Sequence, residues 1–428
     1  MTDLFAISER LIDRGEGEAP PAPFDFTLTE LFEGVARVNA FSLSIIFKTD
    51  EGLVVIDTGL KNGGPPIVEA IRRWSNDPFQ TLIYTHGHLD HVGGSAAFLQ
   101  DSKSNNHPPP MVIAHENVPK RFERYRLTNG YNMVINLRQT SQNPNRTFLG
   151  EGNDLFLDQS VVWPNITFSD HFSIKIGGLT FILHQAKGET DDHAWVWIPE
   201  KKTICPGDLF IWLFPNAGNP QKAQRYPVEW CQALRQMAGM GAEYFIPSHG
   251  WPIQGADRIR KACLETAEAL DHLVGDTLEM MNRGCTLNEI IHTVKVDPKV
   301  LSRPFLRPLY DEPEFVVHNI WRLYGGWYDG NPANLKPARE RDVAVEIAEL
   351  AGGAESLASR ALKTAEKGNL RLACHLIEMA ALADPENKKV HGIRGEIYQQ
   401  RRKEETSLMA RAIFNQAEMD SKKISEEK

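Results

Sequence analysis

Residues 85–94 read Thr85-His86-Gly87-His88-Leu89-Asp90-His91-Val92-Gly93-Gly94 and place four potential metal ligands within six residues. The apolar run Leu82-Ile83-Tyr84 comes directly before them and predicts a buried strand. The ligands would therefore lie on the loop that leaves the carboxyl end of that strand. Active sites of layered α/β proteins form at such loops, so this stretch predicts both the fold class, α/β, and the position of its site.

The residue types in this stretch predict a site for two metal ions. Imidazole and carboxylate are the usual protein ligands of zinc and of similar divalent metals. A lone histidine is more often a core or surface residue, but three histidines and an aspartate at this spacing indicate metal binding. Two pairs of ligands on one loop, His86 with His88 and Asp90 with His91, indicate metals about 3.5–4 Å apart, as in two-metal hydrolases.

Three further candidate ligands follow predicted strands later in the chain. Glu189 comes after the apolar run 179–184, Asp208 after the run 203–205, and His249 after the run 244–246. Ligands that are distant in sequence can meet where packed strands end at one edge, and these positions fit that arrangement. Asp57 also follows a strand, 53–56. It is either an ordinary turn residue or a residue that holds the metal loop from behind, without binding the metal itself.

Composition narrows the function classes. The net charge of −9 argues against a nucleic-acid surface, because contacts to phosphates need a basic face. Five cysteines without paired spacing indicate a reducing compartment. The first residues lack the basic start and apolar core of a signal peptide, and no apolar run approaches the roughly 20 residues of a membrane span. We therefore expect a cytoplasmic protein with neither a membrane span nor a nucleic-acid partner.

The remaining segments give an outline of the chain. We expect an irregular arm over residues 1–24, strands over 31–38 and 161–163, and long loops between 116 and 160. The candidate substrate contacts Asn132, Arg225 and Tyr226 are chosen because they lie in irregular loops, although each could equally be a solvated loop residue. Glycines near residue 330 predict a boundary between residues 1–330 and a helical domain of residues 331–428. The tail after Ser421 is expected to be frayed.

The metal loop, the Asp57-Thr58-Gly59 turn and the later ligand loops together resemble the metallo-β-lactamase superfamily. That resemblance implies an αββα sandwich with the metals at the shared edge of two sheets. Two features resemble the alkylsulfatase branch of the superfamily: the glutamate in Gly188-Glu189-Thr190, and the segment 325–333 followed by helices. The helical segment would then correspond to that branch's dimerisation domain, which implies a homodimer.

The resemblance also implies a division of the ligands between two zinc ions. His86, His88 and Glu189 would hold one ion; Asp90, His91 and His249 would hold the other; and Asp208 would bridge them. The implied function is a binuclear zinc hydrolase that cleaves an alkyl sulfate or a related anionic small-molecule ester, with Asp90 and Asp208 as catalytic residues.

Two other functions remain open at this point. The same ligand set could hydrolyse a carbonyl ester, a lactone or a thioester, because activated hydroxide attacks those centres too. A metal-binding scaffold without turnover is the third reading, and the complete set of ligands argues against it.

Overall fold

The computed structural model describes residues 4–15, 17–140 and 155–427. Its first sheet has seven strands that lie side by side in sequence order. The pairs among the first four strands are antiparallel and the later pairs are parallel. The strands are β1 (Leu28–Phe32), β2 (Val35–Val38), β3 (Ser44–Thr49), β4 (Gly52–Ile56), β5 (Phe79–Ile83), β6 (Met111–His115) and β7 (Ile166–Phe168).

The second sheet has six strands in the order β13-β12-β11-β10-β9-β8. All neighbouring pairs are antiparallel except β11 with β12. The strands are β8 (His171–Ile176), β9 (Leu179–Gln185), β10 (Ala194–Ile198), β11 (Thr203–Cys205), β12 (Tyr244–Phe245) and β13 (Ile253–Gln254).

Helices cover the outer faces of both sheets. The described helices are α1 (Leu4–Arg14), α2 (Gly64–Trp74), α3 (Leu89–Val92), α4 (Ser95–Ser104), α5 (Asn117–Leu127), α6 (Asn129–Thr140), α7 (Pro227–Ala238), α8 (Ala256–Asn282), α9 (Leu287–Thr293), α10 (Pro298–Leu301), α11 (Pro313–Gly325), α12 (Pro332–Leu335), α13 (Glu340–Leu350), α14 (Ala354–Glu366), α15 (Leu370–Ala383), α16 (Lys388–Glu404) and α17 (Leu408–Glu426).

Three apolar clusters define the layers. One lies between the sheets and includes the rings of Phe47 and Phe181, whose centroids are 5.6 Å apart. A second joins the first sheet to α2, α4 and α5, and a third joins the second sheet to α7, α8 and α11. Both faces of each sheet are thus buried. The predicted αββα sandwich is confirmed.

The C-terminal helices α13 to α17 pack around an apolar cluster of their own, rich in alanine. They also contact the sandwich, since α17 packs on α6 and the Leu408 N–H donates to the Leu309 carbonyl at 2.8 Å. Among the described residues, no helix has both the length and the apolar character that crossing a membrane requires. The predicted all-helical C-terminal segment is confirmed.

The expected loops of residues 116–160 are wrong over 117–140, where α5 and α6 form; residues 141–154 lie outside the described part. Helix α5 buries Val118, Arg121, Phe122 and Tyr125. An arginine at a buried position interrupts the apolar stripe on which the sequence reading depends. Asn132 therefore lies on a helix and not in a loop.

Other element predictions also need correction. The arm of residues 1–24 contains α1, whose buried Leu11 and Ile12 belong to the third cluster. The tail after Ser421 continues α17 to Glu426. The run 31–38 is interrupted by a turn between β1 and β2. Residues 161–163 are not a strand, because Val162 bonds to the side chains of Ser95 and Tyr84 in place of a strand partner.

Candidate metal centre

Loops at one edge of the two sheets carry the candidate ligands. The loop after β5 supplies the cluster around His86, the loop after β9 supplies Glu189, and the loop after β11 supplies Asp208. The loop after β12 supplies His249. The structure brings all seven predicted ligands together, in one group of His86, His88, Glu189 and Asp208 and a second group of Asp90, His91 and His249. Within each group the potential ligand atoms lie within 4.8 Å of one another.

Nitrogen and oxygen atoms converge closely in the first group. The His86 Nε2 and His88 Nδ1 atoms are 2.8 Å apart. Glu189 Oε1 lies 3.8 Å from His88 Nδ1, and Asp208 Oδ2 lies 4.0 Å from His86 Nε2. The His88 side chain is 21% exposed, so the group is buried but reachable from solvent.

Asp208 also reaches the second group. Its Oδ2 atom lies 3.4 Å from His91 Nε2 and 3.5 Å from His249 Nε2. Asp90 Oδ2 is 3.4 Å from each of the same two nitrogens. One carboxylate therefore contacts ligands from both groups, which is the position that a bridging ligand requires.

Asp57 orients His91 from behind. Its Oδ2 atom faces His91 Nδ1 at 2.7 Å and accepts hydroxyl hydrogen bonds from Thr85 and Ser248, each at 2.9 Å. Its Oδ1 atom accepts the Thr85 N–H at 2.9 Å. The structure supports the interpretation that Asp57 holds the metal loop without binding the metal itself. A carboxylate on one imidazole nitrogen orients the ring and leaves the other nitrogen to bind a metal.

A buried ion pair holds the loop between His86 and His88. Asp192 Oδ2 accepts the Gly87 N–H at 3.0 Å and pairs with Arg121 Nε at 2.6 Å. Burial opposes a charge on Asp192, but the Arg121 guanidinium outweighs it and lowers the pKa of the carboxyl. The pair thus fixes the backbone that carries both histidines.

His193 and Gly207 position Asp208. The Asp208 N–H donates to His193 Nε2 at 3.1 Å. Gly207 has φ +59, and a Cβ there would lie 2.7 Å from the His193 ring. Only glycine fits this left-handed turn beside the imidazole.

The donor set fits divalent metal ions. Imidazole nitrogens and carboxylate oxygens suit zinc and also accept iron or manganese. His91 Nε2 and Asp208 Oδ1 are buried and have no hydrogen-bond partner among the described residues, as expected of atoms reserved for a metal. Burial raises the pKa of Glu189 to about 8 although the Arg225 guanidinium lies beside it, and a metal cation held by the carboxylate would further stabilise its charge.

All three predicted substrate contacts line one cavity of about 440 Å³ beside the first ligand group. Arg225 is buried and pairs with Glu189 Oε1 at 3.2 Å. Asn132 is buried on α6, and Tyr226 is half-buried with Lys187 over its ring. Their shared location links three separate elements to the candidate metal ligands.

The loop 216–220 also contacts the site. The Asn216 amide donates to Glu189. Asp311, from the segment before α11, accepts the N–H groups of Gly218 at 2.6 Å and Asn219 at 3.1 Å. A Cβ at Gly218 would lie 2.3 Å from the backbone of Phe315, so the loop and the segment meet closely.

Sequence reasoning missed several residues that support the site. Arg121, Asp192, His193, Asn216 and Asp311 had no motif that pointed to them. Each acts through a contact between segments far apart in the chain. Only the two aspartates beside Glu189, in the run Thr190-Asp191-Asp192-His193, offered a local signal of charge in a ligand loop.

Two family profiles match the chain. The profile described as Metallo-beta-lactamase superfamily matches residues 38–249, and the profile described as Alkyl sulfatase dimerisation matches residues 286–423. The first match contains all seven candidate ligands, and the second contains α9 to α16 and most of α17.

Curated relatives and solved structures agree with these matches. A linear primary-alkylsulfatase of Pseudomonas is 24% identical over 365 residues, which are 82% of this chain and 68% of that protein. An (R)-specific secondary-alkylsulfatase of Pseudomonas is 24% identical, over 83% of this chain and 56% of that protein. The stereoselective inverting sec-alkylsulfatase Pisa1 from Pseudomonas has the same fold, with TM-score 0.80 and 22% identity over 92% of this chain and 65% of that one. The chain thus spans between 56% and 68% of the length of these three proteins.

Proposed function

Because the chain joins a domain of the metallo-β-lactamase superfamily to an alkylsulfatase dimerisation domain, we propose that it is a binuclear zinc hydrolase of alkyl sulfates or related anionic esters. The observation that carries the proposal is the position of Asp208, whose Oδ2 atom lies within 4.0 Å of ligands from both groups. The two Pseudomonas relatives are alkylsulfatases, which supports the choice of a sulfate ester.

In this proposal the seven side chains are divided between two metal ions. His86, His88 and Glu189 would hold one ion, Asp90, His91 and His249 would hold the other, and Asp208 would serve both. Metal ions held there would supply Lewis-acid chemistry, which lowers the pKa of water and stabilises negative charge on an ester oxygen.

The chain's own residues bind and orient the substrate. Arg225 places a guanidinium beside Glu189, where it can bind the anionic group of the ester. Asn132 and Tyr226 add an amide and a hydroxyl to the same cavity. The buried wall formed by Arg121 and Asp192 holds the His86–His88 loop in place, so these positions are fixed before substrate arrives.

We expect the zinc-loaded protein to release sulfate from a medium-chain alkyl sulfate, and removal of the metal with a chelator to abolish release. Zinc added back should restore it, because the ligands are held by the fold and not by the metal alone. Ion chromatography would measure sulfate and mass spectrometry the bound metal. A protein with two zinc ions bound and no sulfate release from any alkyl sulfate would overturn the sulfate ester as substrate.

Carbonyl esters, lactones and thioesters form the second candidate substrate class. The ligand set is equally suited to them, because activated hydroxide attacks carbonyl centres too. The same zinc-loaded protein would separate the classes, since hydrolysis of one of these substrates without sulfate release assigns the activity to the second class.

We also propose a homodimer formed by the C-terminal helices in the cytoplasm. The match to a dimerisation profile supports it, as do exposed apolar side chains at Trp327 (71%), Leu335 (52%) and Leu350 (89%). Burying such a surface against a second copy would be favourable.

We expect light scattering at micromolar concentration to give twice the 48.2 kDa chain mass. Leu350→Glu should shift the mass toward the single chain, because it would place a charge in the apolar contact. Leu127→Glu is the matched control, since Leu127 is 86% exposed on α5, which lies outside the C-terminal helices. A monomer for the unaltered protein would contradict the homodimer.

The boundary near residue 330 is retained as part of this proposal. Residues of α9 and α11 such as Ile290, Val316 and Ile320 belong to the apolar cluster under the second sheet. The helices after residue 340 pack in a cluster of their own. Packing therefore supports residues 1–330 as the catalytic domain and 331–428 as the helical one.

A further inference from the structure

The cavity beside the candidate metal ligands has an excess of positive charge. Five arginine or lysine side chains line it, against two carboxylates, Glu189 and Asp191; the five are Arg121, Arg124, Lys222, Arg225 and Arg322. Two of them are already paired, because Arg121 binds Asp191 and Asp192 while Arg225 binds Glu189. The other three form what we call the cationic rim: Arg124, Lys222 and Arg322.

No carboxylate among the described residues lies within ion-pair distance of the cationic rim. Arg322 donates to the neutral oxygens of Gln224 at 3.0 Å and Asn319 at 3.2 Å. Lys222 donates to Asn136 Oδ1 at 2.9 Å. Arg124 has its guanidinium 5.9 Å from the centre of the Tyr125 ring. Three cations thus lie around one opening without a carboxylate partner among the described residues, and a cleft lined by one sign of charge attracts ions of the opposite sign.

Among the three cations of the rim, the uncompensated charge is clearest at Lys222. Burial and the nearby charge of Arg225 lower the pKa of Lys222 to about 7. Its neighbours include the facing groups Arg225, Glu189, Asp90 and Arg121, and their combined effect leaves the ammonium poorly compensated. An anion bound beside it would provide the missing charge.

We propose that the substrate carries a second anionic group, a carboxylate, sulfate or phosphate, which the cationic rim binds while the reacting ester lies at the metal ligands. This inference rests on the proposed hydrolase function and narrows its substrate class. Arg225 pairs with Glu189 through Nη1, but its buried Nε has no hydrogen-bond partner among the described residues and can bind the reacting group. The three cations of the rim therefore exceed the need of a singly charged ester.

The walls of the cavity agree with a polar substrate. Apart from Ile135, Pro220 and Ala223, the uncharged side chains that line the cavity carry a hydroxyl, an amide or an imidazole, as in Tyr131 and Gln224. A plain alkyl tail gains free energy by burying its surface against apolar walls, and these walls offer little such surface. A substrate that ends in an anion would gain charge-assisted hydrogen bonds from the rim instead.

Binding of stable sulfonates to the zinc-loaded full chain tests the inference without turnover. A six-carbon α,ω-disulfonate should bind at least about tenfold more tightly than the sulfonate of equal length, because one charge-assisted contact contributes roughly 1.5–3 kcal/mol. An ω-hydroxy sulfonate separates charge from polarity and should resemble the plain sulfonate. Equal affinity for all three, measured by calorimetry, would overturn the inference.

Variants assign the effect to the rim. Arg322→Gln and Lys222→Met should each reduce the preference for the disulfonate about tenfold. Arg126→Gln is the matched control, because Arg126 lies two residues after Arg124 on α5 and outside the cavity; it should keep the full preference. A preference that survives both rim variants would contradict the assignment.

Turnover of the matching sulfate esters separates this inference from the proposed function. Hydrolysis of a plain alkyl sulfate as fast as of its ω-carboxylate analogue would overturn the rim and leave the hydrolase intact. A preference for the disulfonate in binding, with no ester of any class hydrolysed, would support the rim and overturn the hydrolase.

Discussion

Asp208→Asn should abolish metal binding at both ligand groups and lower ester hydrolysis by more than about a thousandfold, since Lewis-acid stabilisation contributes several kcal/mol. Asp208 Oδ2 lies within 4.0 Å of nitrogen atoms of His86, His91 and His249, so this one substitution affects both groups. Asparagine keeps the volume and removes the charge. The change would also remove the carboxylate that His86, His91 and His249 share.

Metal content by mass spectrometry and sulfate release, measured on the same preparation, would test this prediction. Asp170→Asn is the control, because the Asp170 side chain is 92% exposed and makes no contact with either ligand group. Two metals retained together with unaltered turnover would contradict the bridging role of Asp208.

Asp57→Asn should weaken metal binding by about 10–100-fold while leaving all seven ligands in the chain. Asp57 has φ 60, a left-handed conformation that asparagine also adopts readily, so the backbone is unaffected. The change acts on Oδ2, which receives contacts from His91, Thr85 and Ser248. An amide nitrogen at that position cannot accept them, and a flipped amide would lose the Thr85 N–H instead.

Competition with a chelator would give the metal affinity, and thermal unfolding of the metal-free protein would give the stability. Loss of buried hydrogen bonds should lower the free energy of unfolding by about 1–3 kcal/mol. Asp25→Asn is the control, since Asp25 also accepts backbone and amide hydrogen bonds but lies away from the ligands. An unchanged metal affinity would show that His91 is oriented without Asp57.

The candidate metal ligands could be predicted from the sequence where they lie close together in the chain. His86, His88, Asp90 and His91 lie on one loop, and strand ends with the family resemblance indicated Glu189, Asp208 and His249. The family comparisons confirm the resemblance on which the fold prediction depends. The allocation of ligands to two zinc ions stays a prediction.

The residues that hold the ligand loops in place could not be predicted from the sequence, because their roles depend on partners distant in the chain. Arg121 interrupts the apolar stripe of α5, so the helix looked like a loop. Its burial makes sense only with Asp192, 71 residues later. The same holds for Val161–Trp163, whose apolar character predicted a strand but whose backbone bonds to side chains from other segments.

Asp311 ties together two parts of the chain that the family profiles treat separately. It lies in the segment 286–423 of the dimerisation profile, yet its carboxylate holds the loop whose Asn216 contacts Glu189. A recombinant protein that ends where the first profile ends would lack this brace, and Arg322 with it. If the helical region were exchanged between relatives, the catalytic geometry would therefore be preserved only where residues 286–330 come from the same protein as the sandwich. In any such chimera this segment belongs with the site.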